Sequence, residues 1–317
     1  MSARTLSVPF RALMWVYAIV PILSLVAGAD LLIAHGALRS FLPRDPEHFF
    51  LYLLLFNVPH HVGSLLSFAD AEYLKHYRRR LLTTLPLVWT ATALCFFFAP
   101  LLALVIFIVY TEYHTLNQQI GIGGAFIRTR LAYLSLWRWS TVAIMALFYA
   151  ATTYPTLIPA AAGHAAAVFG IAVSIMQAGV TLLLYRQIET SHGKSFFLAI
   201  SMSLAGAAWI MALGYPLLSA LMTRFIHDVT AFMVYAVHDR NRNHERRHNV
   251  IYRALSFLPI PVLVLVPLVA VLIAAPLTFG LAAGSLVLML LFMTHYYVEG
   301  IIWRRGTIHR AHLTFAP

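Results

Sequence analysis

Two His-Asp pairs stand eleven residues apart, His227-Asp228 and His238-Asp239, in a mostly apolar run. Eleven residues are close to three helical turns, so His227 and His238 share a face about 16 Å apart along the axis. Further imidazoles sit in other apolar segments: Pro59-His60-His61, Glu112 with His114, and His295 with Glu299 four residues later. Imidazole suits iron, copper, zinc and nickel, and carboxylates extend the range to iron and manganese. Several His ligands with at most one carboxylate, left open to a substrate or to dioxygen, is the usual arrangement for non-haem iron chemistry. The expected ligands are His60, His114, His227 and His295, one from each of four segments, with His238 next and then His61. On depth in the membrane, His238 suits an inner cluster better than His227. One ion cannot reach both, so a site using both is dinuclear and extended. Asp70, Glu112, Asp228, Asp239 and Glu299 are the expected acceptors for the ligands' distal N–H groups. Gln118, four residues after His114, is placed to hydrogen-bond a ligand or substrate from the same face.

The elements that must carry these residues are membrane helices. The chain is 61% hydrophobic and 10% charged over 317 residues, against about 25% charged in a soluble domain. Its mean hydropathy is +0.80. Runs such as Leu81–Tyr110, Trp139–Tyr185, Ser195–Thr223 and Ala254–Tyr296 lack Asp, Glu, Lys and Arg and are long enough to cross a hydrocarbon core. The fold class expected is all-α, a polytopic membrane protein of about ten spans (eight to ten) in a single domain over residues 1–317. The spans fall near 12–34, 49–69, 81–99, 101–118, 136–157, 160–186, 195–217, 220–239, 254–274 and 278–303. Pro100 makes the third and fourth the weakest boundary. The apolar run after Arg4 and Arg11 is too long for a signal-peptide core, so it reads as a retained span.

The net charge of +11 follows the positive-inside rule and is no nucleic-acid signal. With a cytoplasmic N-terminus, Lys75 with Arg78-Arg79-Arg80, then Arg128, Arg130 and Arg138, then Arg240 through Arg253, fall in inner loops. The outer side keeps Arg39 and Arg44, offset by Asp45 and Glu47. The location implied is a bacterial inner membrane. His35, His48, His164 and His192 near outer ends or in a loop, and His309 and His312 in the tail, read as solvated or interfacial. A lone Cys95 allows no disulfide or cysteine metal framework. His244-Glu245-Arg246-Arg247-His248 matches the spelling of the zinc-protease helix, but two arginines beside a dication are unfavourable.

Pro59-His60 within a span, His114 in another, Phe225-Ile226-His227 leading into a His/Arg-rich segment, and His295 followed by Glu299 and Arg304 together resemble the Brp/Blh family of membrane carotenoid-cleaving dioxygenases. The resemblance implies a multi-span helical protein whose histidines bind iron and which makes retinal from β-carotene. It carries over His60, His114, His227 or His238, and His295. The family's Pro-His-Gly-Ala-Leu-Asp-like opening is here Pro59-His60-His61-Val62-Gly63-Ser64, a departure that bears on the substrate.

The expected function is therefore a His-ligated membrane oxidoreductase, with iron as cofactor (zinc or copper as alternatives) and an apolar substrate taken from the bilayer. Two readings of other classes stand beside it. One is a proton- or cation-coupled carrier using buried His, Asp and Arg224. The other is a non-catalytic membrane subunit that docks a partner. An intramembrane metalloprotease is a weaker enzymatic alternative. Oligomeric state has no sequence signal here.

Overall fold

The computed structural model of the chain describes residues 5–42, 50–127, 129–153, 160–280 and 285–317. Arg4, Arg44, Asp45, Glu47, His48 and Arg128 lie outside the described residues, as does the side chain of His164. In chain order the helices are α1 (Phe10–Val16), α2 (Ile19–Leu32), α3 (Ala37–Phe41), α4 (Phe50–Tyr52), α5 (Val58–Leu65), α6 (Ala71–Phe98) and α7 (Pro100–Gly123). There follow α8 (Leu134–Thr153), α9 (Ala160–Gln187), α10 (Ser191–Ala212), α11 (Pro216–Arg242), α12 (Val250–Ala254), α13 (Val262–Gly280) and α14 (Leu286–Ile302). Two short strands, β1 (Ser7–Pro9) and β2 (Thr314–Ala316), pair in parallel with Ser7 opposite Thr314.

Among the described residues six helical stretches are long and apolar enough to cross a membrane: Phe10–Leu32, Phe50–Ala69, α6, α10, α11 and α13, with α14 a shorter apolar helix. Large apolar side chains such as Leu25, Leu87, Phe98, Leu272 and Phe279 are exposed, a surface that water would not tolerate over so wide an area. The chain is a helical membrane protein.

Several boundaries move from their expected places for local reasons. The Lys75–Arg80 cluster is helical, because Asp70 accepts the Glu72 amide at 2.9 Å and caps α6 one residue before Ala71. The cations expected in a loop therefore extend a helix. Ala99 leaves helical geometry, with φ −146° and ψ 63°, and Pro100 opens α7, a position that needs no amide donor. Helix α13 starts at Val262 and not near 254, because Pro259 and Pro261 follow the short α12.

The chain folds as two compact units. The first comprises residues up to Pro9, Phe50–Leu104 and Asp228–Ala316. In it α5 packs on α13 and α14, and α14 on α6. Val58, Val62 and Leu66 along one face of this segment meet Val269, Ala270, Ala274 and Leu288. The Trp89 indole donates to Thr294 at 2.8 Å. Asn241 brackets Leu6, accepting its amide at 2.8 Å and donating to its carbonyl at 2.7 Å.

The second unit comprises Phe10–Phe49 and Val105–His227. Here α10 packs on α2 and α8 on α9. The buried Asp30 carboxylate accepts from the Leu38 and Arg39 amides at 2.9 and 3.1 Å and from the Tyr215 hydroxyl at 2.6 Å. Tyr17 donates to Gln119 at 2.6 Å. Gly206 of α10 allows close approach to α2: a Cβ there would stand 2.7 Å from Val20 Cγ1, whereas one on Gly28 would meet nothing within 4 Å. Gly206→Ala is expected to lower the melting temperature in detergent, by overpacking costing about 1–3 kcal/mol. Gly28→Ala, in open space within a helix, should be neutral or stabilising by up to about 1 kcal/mol. Parallel thermal unfolding of the two variants checks the opposite signs.

Candidate metal centre

The first unit contributes His60 and His295. Pro59 has no N–H to give the Leu55 carbonyl, and its ring crowds that oxygen. The chain answers with a wide π-turn over Leu53–Asn57 before α5 begins, a feature that often accompanies functional positions. Val58 to Ser64 are all buried. Gly63 lets Phe232 and Tyr235 of α11 lie against α5, since a Cβ would come within 3.3 Å of both rings. Tyr235 consequently stacks on His60, with ring centroids 5.7 Å apart. The His60 and His295 rings stand 4.4 Å apart.

Hydrogen bonding assigns the tautomers of both rings. Ser64 Oγ donates to the His61 carbonyl at 2.9 Å, so it accepts from His295 Nδ1–H at 2.8 Å. Tyr235 donates its hydroxyl proton to Glu299, so its oxygen faces His60 Nδ1–H as a long acceptor at 3.4 Å. Each ring is thereby left with its lone pair on Nε2. Glu299 also accepts from the Trp303 indole at 3.0 Å and lies 3.9 Å from His295 Nε2.

The second unit contributes His114, from α7, and His227, from α11, both buried and with ring centroids 5.1 Å apart. Glu112, two residues before His114, is buried as well.

Taken together, His60, His114, His227 and His295 are a buried group of four histidines, each offering a ring nitrogen, and these atoms all lie within 4.8 Å of one another. Such a group can hold a metal ion. Nitrogens about 2.1 Å from one ion stand at most about 4.2 Å apart, close to the spread of this group. The donor set fits an imidazole-binding metal: four imidazole rings, with hydroxyl acceptors fixing the distal N–H of two of them.

The other expected residues have different partners. His61 donates Nδ1–H to the Asn57 carbonyl at 2.6 Å and packs on Phe292, with ring centroids 4.2 Å apart. It is outside the four-histidine group. So is His238, which reverses the preference for it on depth. His238 Nδ1 bonds its own neighbour Asp239 at 2.7 Å, and Nε2 accepts from the Tyr73 hydroxyl at 3.1 Å. Asp239 also accepts from Tyr252 at 2.5 Å. Adjacent side chains on a helix diverge by about 100°, yet this pair meets through its rotamers. Asp228 accepts from Tyr52 at 2.7 Å. Asp70 orients no imidazole through a hydrogen bond, because its carboxylate caps α6 and accepts from Arg242 at 2.8 Å. Gln118 accepts from Gln119 at 3.2 Å.

Two further expectations are corrected. His309, read as solvated, is fully buried, stacked 3.8 Å from Tyr73 and 5.1 Å from His238. Burial, then the neighbouring His238, His312 and Arg242, depress its pKa to about 2, so the ring is neutral. The zinc-protease spelling at His244–His248 is not helical, since α11 ends at Arg242. Asn243 donates to the Asp239 carbonyl at 2.8 Å and accepts the Asn249 amide at 2.9 Å, turning the chain. His244 and Glu245 are exposed there, so the motif lacks the helix that would align its two histidines.

Ser64 and Tyr235 were not among the expected orienting groups. The one available signal for Ser64 is its place four residues after His60, one turn along α5. Ser64→Ala removes the acceptor for His295 Nδ1–H and is expected to weaken metal affinity by about 10–100-fold. Stoichiometry at saturating metal should stay unchanged, as a competition titration against a chelator would measure. Comparison with known proteins finds no matching family model, no similar curated protein and no similar solved structure.

Proposed function

We propose that this chain is an integral-membrane oxidoreductase in which His60, His114, His227 and His295 hold one iron ion, and that its substrate is an apolar molecule drawn from the bilayer. The observation that carries the reading is the convergence of four buried imidazole nitrogens within 4.8 Å. An all-nitrogen set of four leaves coordination positions open on a six-coordinate metal, as oxygen chemistry at iron requires. Bound iron would supply dioxygen activation. Zinc and copper accept the same ligands, so the choice of iron rests on that open shell and on the resemblance to the carotenoid-cleaving dioxygenases.

The chain's own residues do the rest. Ser64 and Tyr235 hold the His295 and His60 rings with Nε2 turned away from the hydroxyls. Glu299, gathering the Tyr235 and Trp303 protons, fixes that hydroxyl in turn. The α5 segment from Val58 to Ser64 is buried throughout, which keeps water from the His60 ring. The topology proposed with this function has about ten spans with a cytoplasmic N-terminus, in a bacterial inner membrane.

Elemental analysis of detergent-purified protein tests the reading. Wild type is expected to carry about one iron per chain. His60→Ala, His114→Ala, His227→Ala and His295→Ala should each lose most of it, while His238→Gln and His192→Ala keep it. Folded wild type that stays metal-free after reconstitution with iron would refute the proposal. Loss of metal in His238→Gln equal to that in His60→Ala would refute the ligand set.

A further inference from the structure

Within the second unit, a cavity of about 180 Å³ opens among α7, α8, α9, α10 and α11, room for roughly six water-sized groups. Its polar lining includes Glu112, Arg224, Thr141, Ser201, Ser219 and Thr223, set among apolar side chains such as Phe148 and Leu204. Glu112 stands two residues before His114, and Arg224 three residues before His227. Three residues are about 4.5 Å of helix rise, so the cavity lies within a turn of both imidazoles along their own helices. The Arg224 guanidinium lies 4.8 Å from the Tyr149 ring centroid.

The lining selects among ligand chemistries. Thr141, Ser201, Ser219 and Thr223 give their protons to the carbonyls of Trp137, Phe197, Ala207 and Ala220, at 2.8, 2.9, 2.8 and 3.1 Å. Their oxygens keep lone pairs, one at Thr141 already accepting from the Gln177 amide at 3.4 Å, and the Glu112 carboxyl adds more acceptor capacity. With the Arg224 guanidinium and the Gln177 amide as donors in the same lining, the site suits a ligand that can both donate and accept. A hydrocarbon end would bury these groups without compensation. A carboxylate would bring a second acid beside Glu112, in a lining whose one cationic side chain among the described residues is Arg224. A neutral hydroxyl can donate to the acceptors and accept from Arg224.

We propose that this cavity binds the hydroxyl-bearing end of an otherwise apolar alcohol. Naming that alcohol as the substrate rests on the oxidoreductase proposal, since the cavity adjoins His114 and His227 along α7 and α11; the binding itself does not.

Equilibrium binding to the full-length protein in detergent, using radiolabelled farnesol, the matching hydrocarbon farnesane and farnesoic acid, tests it. Farnesol is expected to bind about 10-fold or more tighter than farnesane, the scale of one hydrogen bond to a charged group, and tighter than the acid. Glu112→Leu should bring the alcohol-to-hydrocarbon ratio close to one, and Glu112→Gln should restore most of it. Thr223→Val, nearly isosteric, should lower the ratio without unfolding the chain. Equal affinity for alcohol and hydrocarbon, tightest binding of the acid, or a ratio unmoved in Glu112→Leu and Thr223→Val would overturn the proposal. Metal content measured on the same preparations separates the two claims. Discrimination without bound metal leaves the cavity's ligand class standing and refutes the oxidoreductase reading; bound metal without discrimination refutes only the cavity proposal.

Discussion

Polar groups in a helical membrane protein cannot rely on water, so each must find its partner within the chain. Imidazole makes this demand twice over, with one N–H to donate and one lone pair to be met. At His295 the Ser64 hydroxyl meets the N–H, and at His60 the Tyr235 hydroxyl does so at longer range. Both hydroxyls act as acceptors because their own protons go elsewhere, to the His61 carbonyl and to Glu299. The lone pairs are thereby turned to Nε2. With the His114 and His227 rings, these two make four imidazoles whose offered nitrogens lie within 4.8 Å, the one gathering of three or more histidine, cysteine or carboxylate ligands among the described residues.

The fold supplies this arrangement through small local departures from regular helix. The π-turn ahead of Pro59 sets where His60 falls on α5, and the absence of a side chain at Gly63 admits Tyr235 alongside it. Asp239, by contrast, locks His238 into a separate network with Tyr73 and Tyr252. Burial and then the Asp239 charge push the Tyr252 hydroxyl's pKa upward, so Tyr252 remains a donor. With the buried His309 ring stacked on His238 and Tyr73, this network reads as the brace that ties the C-terminal tail to the C-terminal end of α11.

Much of the candidate site was legible because an ionisable residue inside an apolar run is costly and therefore stands out. His60, His114, His227 and His295 each met that condition, on four separate segments. The choice between His227 and His238 was not legible, since it depends on rotamers and on which helix faces which. Depth alone favoured His238, which lies outside the four-histidine group. Ser64 escaped notice because serine is common in membrane helices, and only the direction of its hydrogen bonds reveals its part. The positions of the helices were readable from hydropathy, while their ends were not: Asp70 extends α6 into the Lys75–Arg80 cluster, and prolines delay α13. His309 looked solvated because a polar tail is usually exposed, and only packing on Tyr73 and His238 removes it from water.

X-ray absorption at the metal edge of the purified, metal-loaded full-length protein addresses the central claim most directly. The account predicts a shell dominated by four imidazole nitrogens at about 2.0–2.2 Å, with the outer-ring scattering of imidazole reduced by about a quarter in each single His→Ala variant that still binds metal. An oxygen-only shell, or scattering from fewer than three imidazoles in wild type, would contradict it.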